Sequence, residues 1–169
     1  MLVKGLGKGT AALAVVTPIQ TLAAPNLKRL CTVSGMQSNV GSGRTGVNTD
    51  QCKGYAPSYY ADLAHWPNTN GGPPTNPNSM VGAVNVNKDA TFISIFGTGS
   101  SIGLLTILTA TPTSDEAVWV TALLNGIKQP AGFLFPYTGS QVIAYYNSPN
   151  PDKSNAFTLF KDYLQVVVS

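Results

Sequence analysis

Between Cys52 and Trp66 the chain gathers a cysteine, three tyrosines (Tyr55, Tyr59 and Tyr60), one of its two tryptophans and its only histidine, His65, within fifteen residues. Large rigid rings supply more buried area per residue than other side chains. A chain carrying such a cluster must fold around it or dock something onto it. No matching group of carboxylates accompanies the rings, for Asp62 is the one acid inside the stretch. The pattern therefore points to a packing or contact nucleus rather than to an active site.

A chain of 169 residues is long enough to bury a core as one domain without the help of metals. Charged residues make up only 10% of it. Ordinary soluble domains carry roughly 25%. With 43% hydrophobic residues this is not the composition of a disordered chain. It describes a folded protein with little electrostatic self-repulsion, able to lie close to copies of itself. Of the ten basic residues, Lys4 and Lys8 fall in the first segment, so beyond Ala23 eight bases face seven acids. With no Lys/Arg run and no basic stripe, the footprint of a nucleic-acid binder is missing.

The first segment has a basic start (Lys4, Lys8), a small apolar run from Thr10 to Thr17, and Thr21 and Ala23 at the minus-three and minus-one positions of a cut after Ala23. This is the layout of a secretory signal over residues 1–23. The competing reading is a retained N-terminal helix used for assembly or anchoring. A membrane span is not expected, since the apolar run falls short of the roughly 20 residues a span needs. Pro18 and Gln20 also interrupt it.

Residues 24–51 are expected to be an extended polar arm, rich in Ser, Asn and Thr, with Gly35, Gly41, Gly43 and Gly46. Cys31 and Cys52 bracket most of it and are the only cysteines. In an exported chain an even count implies a disulfide, worth about 3 kcal/mol for a loop of this size. Two free buried thiols are the reading for a cytosolic chain.

From Pro67 to Ser79 four prolines and two glycines forbid a helix or central strand, so 67–79 is expected to be an exposed loop. Alternation from Val81 to Asn87 suggests a short strand. Residues 89–96 and 101–110 are expected to be helical. Ser114-Asp115-Glu116 reads as an N-cap with first-turn acids, and Ala117, Val120 and Leu124 follow at helical spacing. Trp119 and Leu123 widen that stripe, and Gly126 is the expected C-terminal cap. Thr138-Gly-Ser-Gln141 fits a capping box, with Val142, Ile143 and Tyr146 continuing the helix until Ser148-Pro149. Ala156, Phe157, Leu159, Phe160, Tyr163 and Leu164 suggest a last helix, after which Gln165 to Ser169 reads as helix or strand. The expected fold is thus mainly α, a small disulfide-closed single domain over 52–169, with long loops and one or two short strands.

The order Cys52, Tyr55, Pro57, Tyr59-Tyr60, then His65-Trp66, Phe92 and Phe96-Gly97, Leu104-Leu105, Glu116-Ala117, Ala122-Leu123-Leu124-Asn125, Phe135-Pro136-Tyr137-Thr138 and Val142-Ile143 resembles a module of exported bacterial surface proteins. That module opens on a Cys-x-Pro-Gly-Tyr-Trp-like element and carries an Ala-Ala-Leu-Leu-Asn helix. The resemblance spans roughly residues 52 to 165. Two departures stand out: Ser58-Tyr59-Tyr60 replaces Gly-Tyr-Trp, and Glu116-Ala117 replaces a His-Ala pair. The resemblance implies export and a surface or extracellular role, and it implies no catalysis.

Catalytic and metal-binding patterns are thin. The sequence lacks Cys-x-x-Cys, His-x-x-x-His and calcium-loop spacings. Asp62 and His65 formally allow a hydrolytic triad, but no Gly-x-Ser-x-Gly elbow frames a serine. Gly97 to Ser101 is glycine-rich enough to cradle a phosphate, yet without a P-loop lysine it reads as a plain turn. No catalytic, cofactor or metal residue is therefore assigned, and the chain is read as a non-enzyme. The leading expectation is a secreted structural subunit of a filament or sheath, self-associating into a homopolymer. In it the polar arm lies on a neighbour, and Tyr55, Tyr59, Tyr60, His65 and Trp66 are contact candidates. The alternative is a monomeric extracellular module that binds a glycan or surface through the same rings; a hydrolase centred on His65 is a distant third.

Overall fold

The apolar run after Ser114 has no polar face broad enough to meet water, so it must be enclosed. In the computed structural model, which describes Cys31, Thr32 and residues 52–167, it is. The chain runs through α1 (Pro57–Tyr60), a 3₁₀ turn (Leu63–His65), β1 (Asn78–Val81), β2 (Val84–Asn87), α2 (Phe92–Phe96) and α3 (Leu104–Ala110). It continues into α4 (Asp115–Lys128), α5 (Gly139–Tyr146) and α6 (Asp152–Tyr163). The mainly helical, disulfide-closed single domain expected from the sequence is the fold found. The signal segment expected over 1–23 and the polar arm expected over 24–51, Cys31 and Thr32 excepted, lie outside the described residues.

The core is built around α4, against which α1, α3, α5 and α6 all pack. Ser114 accepts the Ala117 N–H as its N-cap, and Asp115 and Glu116 occupy the first turn, where the helix dipole favours acids. Ala117 and every residue from Trp119 to Gly126 are buried. The helix does not stop at Gly126 as expected; it runs on to Lys128, and Gln129 closes it in the left-handed region at φ +48. Gly126 is small for another reason. A Cβ there would sit 2.7 Å from the Gly139 nitrogen and 2.8 Å from the Thr138 carbonyl carbon, so α5 can begin against α4 only over a bare backbone. Gln129 secures that crossing by donating from Nε2 to the Gly126 and Tyr137 carbonyls.

The capping box at the start of α5 is present in full: Thr138 Oγ1 accepts the Gln141 N–H, and Gln141 Oε1 accepts the Thr138 N–H. The helices expected over 89–96 and 101–110 begin late, at Phe92 and Leu104. Before α2, Asn87 Oδ1 accepts the Asp89 and Ala90 N–H groups and bends the chain, and Thr91 then caps the helix.

The segment from Val81 to Asn87, expected as one short strand, instead holds the end of β1, the Gly82-Ala83 turn and β2 of an antiparallel hairpin, with Ser79 opposite Val86 and Met80 opposite Asn85. Its two-residue turn has Gly82 at φ +61, the left-handed first position such turns favour. β1 therefore begins inside the segment read as loop. Pairing starts directly after Pro77, the last residue that cannot donate to a ladder. The preceding loop is organised by Asn68, whose Oδ1 accepts the Gly72 and Asn78 N–H groups and whose Nδ2 donates to the Gly72 carbonyl.

Candidate functional site

The aromatic stretch starts at Cys52, which is joined to Cys31 by a buried disulfide. Residues 54–56 run extended and are held from both sides. On one side the Gly54 N–H donates to the Tyr163 carbonyl, the Ala56 N–H to the Val166 carbonyl, and the Val166 N–H back to the Gly54 carbonyl. Tyr55 thereby forms a parallel bridge with Val166, so the chain after α6 is extended at that point rather than helical.

On the other side no strand is present among the described residues, and the side chain of Asn125 takes its place. Its Oδ1 accepts the Tyr55 N–H at 2.8 Å, while Nδ2 donates to the Tyr55 carbonyl at 3.0 Å and the Thr121 carbonyl at 2.9 Å. Asn125 is fully buried, so these bonds satisfy an amide that would otherwise be costly inside the core. Gly54 lets the amide approach, since a Cβ there would fall 2.9 Å from both Asn125 Oδ1 and Leu164 Cδ2.

Pro57 then opens α1 with its φ already set for a helix, and the short helix sorts the rings that follow. Tyr60 turns inward and is fully buried. Trp66 is buried too, its Nε1 donating to the Tyr60 carbonyl at 2.6 Å. Tyr55, Tyr59 and His65 are half-buried and form one continuous stack. Tyr55 and Tyr59 lie 3.7 Å apart at 12°, and Tyr59 and His65 lie 3.9 Å apart at 4°. Phe133 meets Tyr55 edge-on at 5.2 Å. His65 Nδ1 donates to the Tyr59 carbonyl at 2.8 Å. In the neutral ring that leaves Nε2 as the acceptor.

Lys128, from the last turn of α4, closes the rim. Its Nζ donates to the His65 carbonyl at 2.7 Å and to Tyr59 Oη at 3.1 Å, and it lies 4.9 Å from the centre of the Tyr59 ring. Burial holds the Lys128 ammonium below the ordinary lysine value, with Tyr55 acting the other way. Burial also raises the Tyr55 phenol, and a side-chain hydrogen bond with Tyr59 adds to the effect. The result is a flat aromatic surface bordered by two phenols and one ammonium, suited to stacking and hydrogen bonding.

Of the five contact candidates, the structure brings Tyr55, Tyr59 and His65 together at this rim and spends Tyr60 and Trp66 inside the domain. The sequence reading missed Lys128, Phe133 and the role of Asn125. Lys128 and Asn125 stand three apart on α4 and so share a face, which was the one signal available for them. Nothing in the sequence marks Phe133.

The other constellations take different partners. Asp62 Oδ1 accepts the Ala64 N–H and caps the 3₁₀ turn, while His65 is bonded to the Tyr59 carbonyl, so the two do not form a catalytic pair here. Gly97 to Ser101 is a turn in which Ser100 is already engaged. The Ser100 N–H and Oγ donate to the two Glu116 carboxylate oxygens at 2.9 and 2.6 Å. Among the described residues no three His, Cys, Asp or Glu side chains gather as a metal site, and no helix is long and apolar enough to cross a membrane. Set against known protein families, characterised proteins and solved structures, the chain gives no match.

Proposed function

We propose that the chain is an exported structural subunit of an extracellular or cell-surface assembly, a filament or sheath, working through contacts between copies. The observation that carries this reading is the stacked rim of Tyr55, Tyr59 and His65. Rings already fixed by packing and by Lys128 lose little further freedom on docking, and tyrosine is among the residues that dominate contact energy. The buried disulfide fits an oxidising compartment. The low charge of the chain opposes close packing of copies less than an ordinary surface would. The likeness to exported bacterial surface modules leads to the same proposal.

Electron microscopy and light scattering on the exported protein test it. Ordered polymers that become shorter or vanish in Tyr59→Ala, while that variant keeps its fold, are the expected result. A dispersed monomer at high concentration refutes it. The second reading is a glycan-binding module, favoured by the phenols and ammonium bordering a flat ring surface. Its signature is a monomer whose His65 ring resonances shift on addition of a polysaccharide.

A further inference from the structure

Asn-Gly occurs twice in the sequence, at Asn70-Gly71 and Asn125-Gly126, and the fold treats the two in opposite ways. We propose that Asn70 is a site of spontaneous deamidation, and that the fold protects Asn125 from the same reaction. In this chemistry the Gly71 amide nitrogen attacks the Asn70 side-chain carbon, and the side-chain nitrogen leaves as ammonia, closing a succinimide. Water then opens the ring at either carbonyl, giving aspartate or isoaspartate. No oxidant or enzyme is needed.

Asn70 is exposed and makes no side-chain hydrogen bond among the described residues. Gly71 has φ +70 with nothing within 4 Å of where a Cβ would lie, so the peptide has room to turn toward the side chain. The Gly71 N–H is held only by a long 3.5 Å bond to the Asn68 carbonyl. At Asn125 the same dipeptide lies within α4, fully buried, with both ends of the amide bonded.

The neighbouring asparagines are also poorer sites. Asn68 has both ends of its amide bonded, Asn76 precedes Pro77 and so has no N–H behind it, and Asn78, Asn85 and Asn87 precede residues with side chains. The product matters because no side chain from Trp66 to Asn87 is charged. Deamidation places the first carboxylate in that stretch, and the isoaspartate branch adds a methylene to the backbone beside the Asn70 N–H bond to the Asn78 carbonyl.

The test is to incubate the folded, disulfide-intact protein at mildly alkaline pH and follow it by peptide mapping. Cleavage after Lys53, Lys88 and Lys128 puts Asn70 and Asn125 on separate peptides, and fragment spectra assign the residue. The expected result is the amide-to-acid mass change at Asn70, with Asn125 slower by at least about tenfold because α4 must open first. In the protein unfolded by denaturant both sites should react. An Asn70 that keeps its amide in the folded protein while reacting in the unfolded one overturns the proposal, as does equal reaction at Asn125.

Discussion

Replacing Asn125 tests whether one amide positions the rim. In Asn125→Leu the side chain keeps its branched shape, but its methyl groups are larger than the amide, so crowding beside Gly54 adds to the loss of the pair of bonds to Tyr55. The Thr121 carbonyl still lies in the helical ladder, but the Tyr55 N–H and carbonyl facing α4 lose their partners. An unsatisfied buried group costs about 1–3 kcal/mol, so two such groups predict a loss of about 2–6 kcal/mol. That is a large share of the roughly 5–15 kcal/mol typical of a domain. Asn125→Asp refines the test. Its carboxylate can still accept the Tyr55 N–H, but it aims an oxygen at the Tyr55 and Thr121 carbonyls. The buried acid must then bind a proton to fit, which raises its folded-state pKa above the unfolded value of about 3.9. Stability so gained is present below that value and lost as pH rises, so this variant should recover toward acid pH while Asn125→Leu does not. Urea unfolding of the disulfide-intact protein, followed by tryptophan emission, measures both. If Asn125→Leu stays within about 0.5 kcal/mol of the parent, the ordinary range for surface changes, the amide does not hold Tyr55 and the reasoning fails.

Tyr60 Oη is buried and has no hydrogen-bond partner among the described residues. Tyr60→Phe should therefore leave stability unchanged or raise it by up to about 1 kcal/mol in a thermal melt, whereas a clear loss would mean that the hydroxyl has a partner. Burial pushes the Tyr163 phenol up to about 12 and the Tyr60 phenol higher still. Both folded-state values exceed the unfolded value of about 10, so this stability is intact below about pH 10 and is lost as pH climbs through Tyr163's range. Phenolate absorbance and unfolding curves in that alkaline range should show the loss, and Tyr163→Phe should soften its first part. Gly126→Ala gains up to about 1 kcal/mol of helix propensity. It also forces a methyl to 2.7 Å from the Gly139 nitrogen. Overpacking of about 1–3 kcal/mol should prevail, and urea unfolding should show net destabilisation.

What the sequence made legible is what local chemistry determines. Ser114 and Thr138 announce their helices because a hydroxyl before an apolar run satisfies backbone N–H groups that nothing else reaches. The disulfide followed from there being only two cysteines. The sorting of the aromatic stretch was not legible, because α1 is a single short turn that gives way to a 3₁₀ turn. No helical period lasts long enough to say that Tyr60 and Trp66 face in while Tyr59 and His65 face out. Gly126 misled because a glycine at the end of an apolar run looks the same whether it caps a helix or lets another backbone approach. The start of β1 was hidden behind Pro77 for a similar reason: composition marks a proline-rich stretch as loop but not the residue where pairing resumes. Asn125 and Lys128 needed tertiary knowledge, since their partners lie 70 and 63 to 69 residues away.

The rim is rigid because of where it sits in the chain. Between Cys52 and Ala56, four distant parts of the protein are fastened: Cys31 through the disulfide, the end of α6 through the Tyr163 carbonyl, the extended segment after it through Val166, and α4 through Asn125. Tyr163 Oη also donates to the Cys31 carbonyl at 3.0 Å, so the disulfide and the end of α6 brace each other before either reaches the rim. A loop carrying Tyr55 and Tyr59 without these fastenings would have to order itself on contact, at about 0.5–1.5 kcal/mol for each immobilised side chain. Here folding has already done that ordering, and Lys128 holds the Tyr59 phenol in place. A partner that stacks on this rim meets a surface whose shape does not depend on the partner, and a repeated contact between identical subunits requires the same of its surfaces.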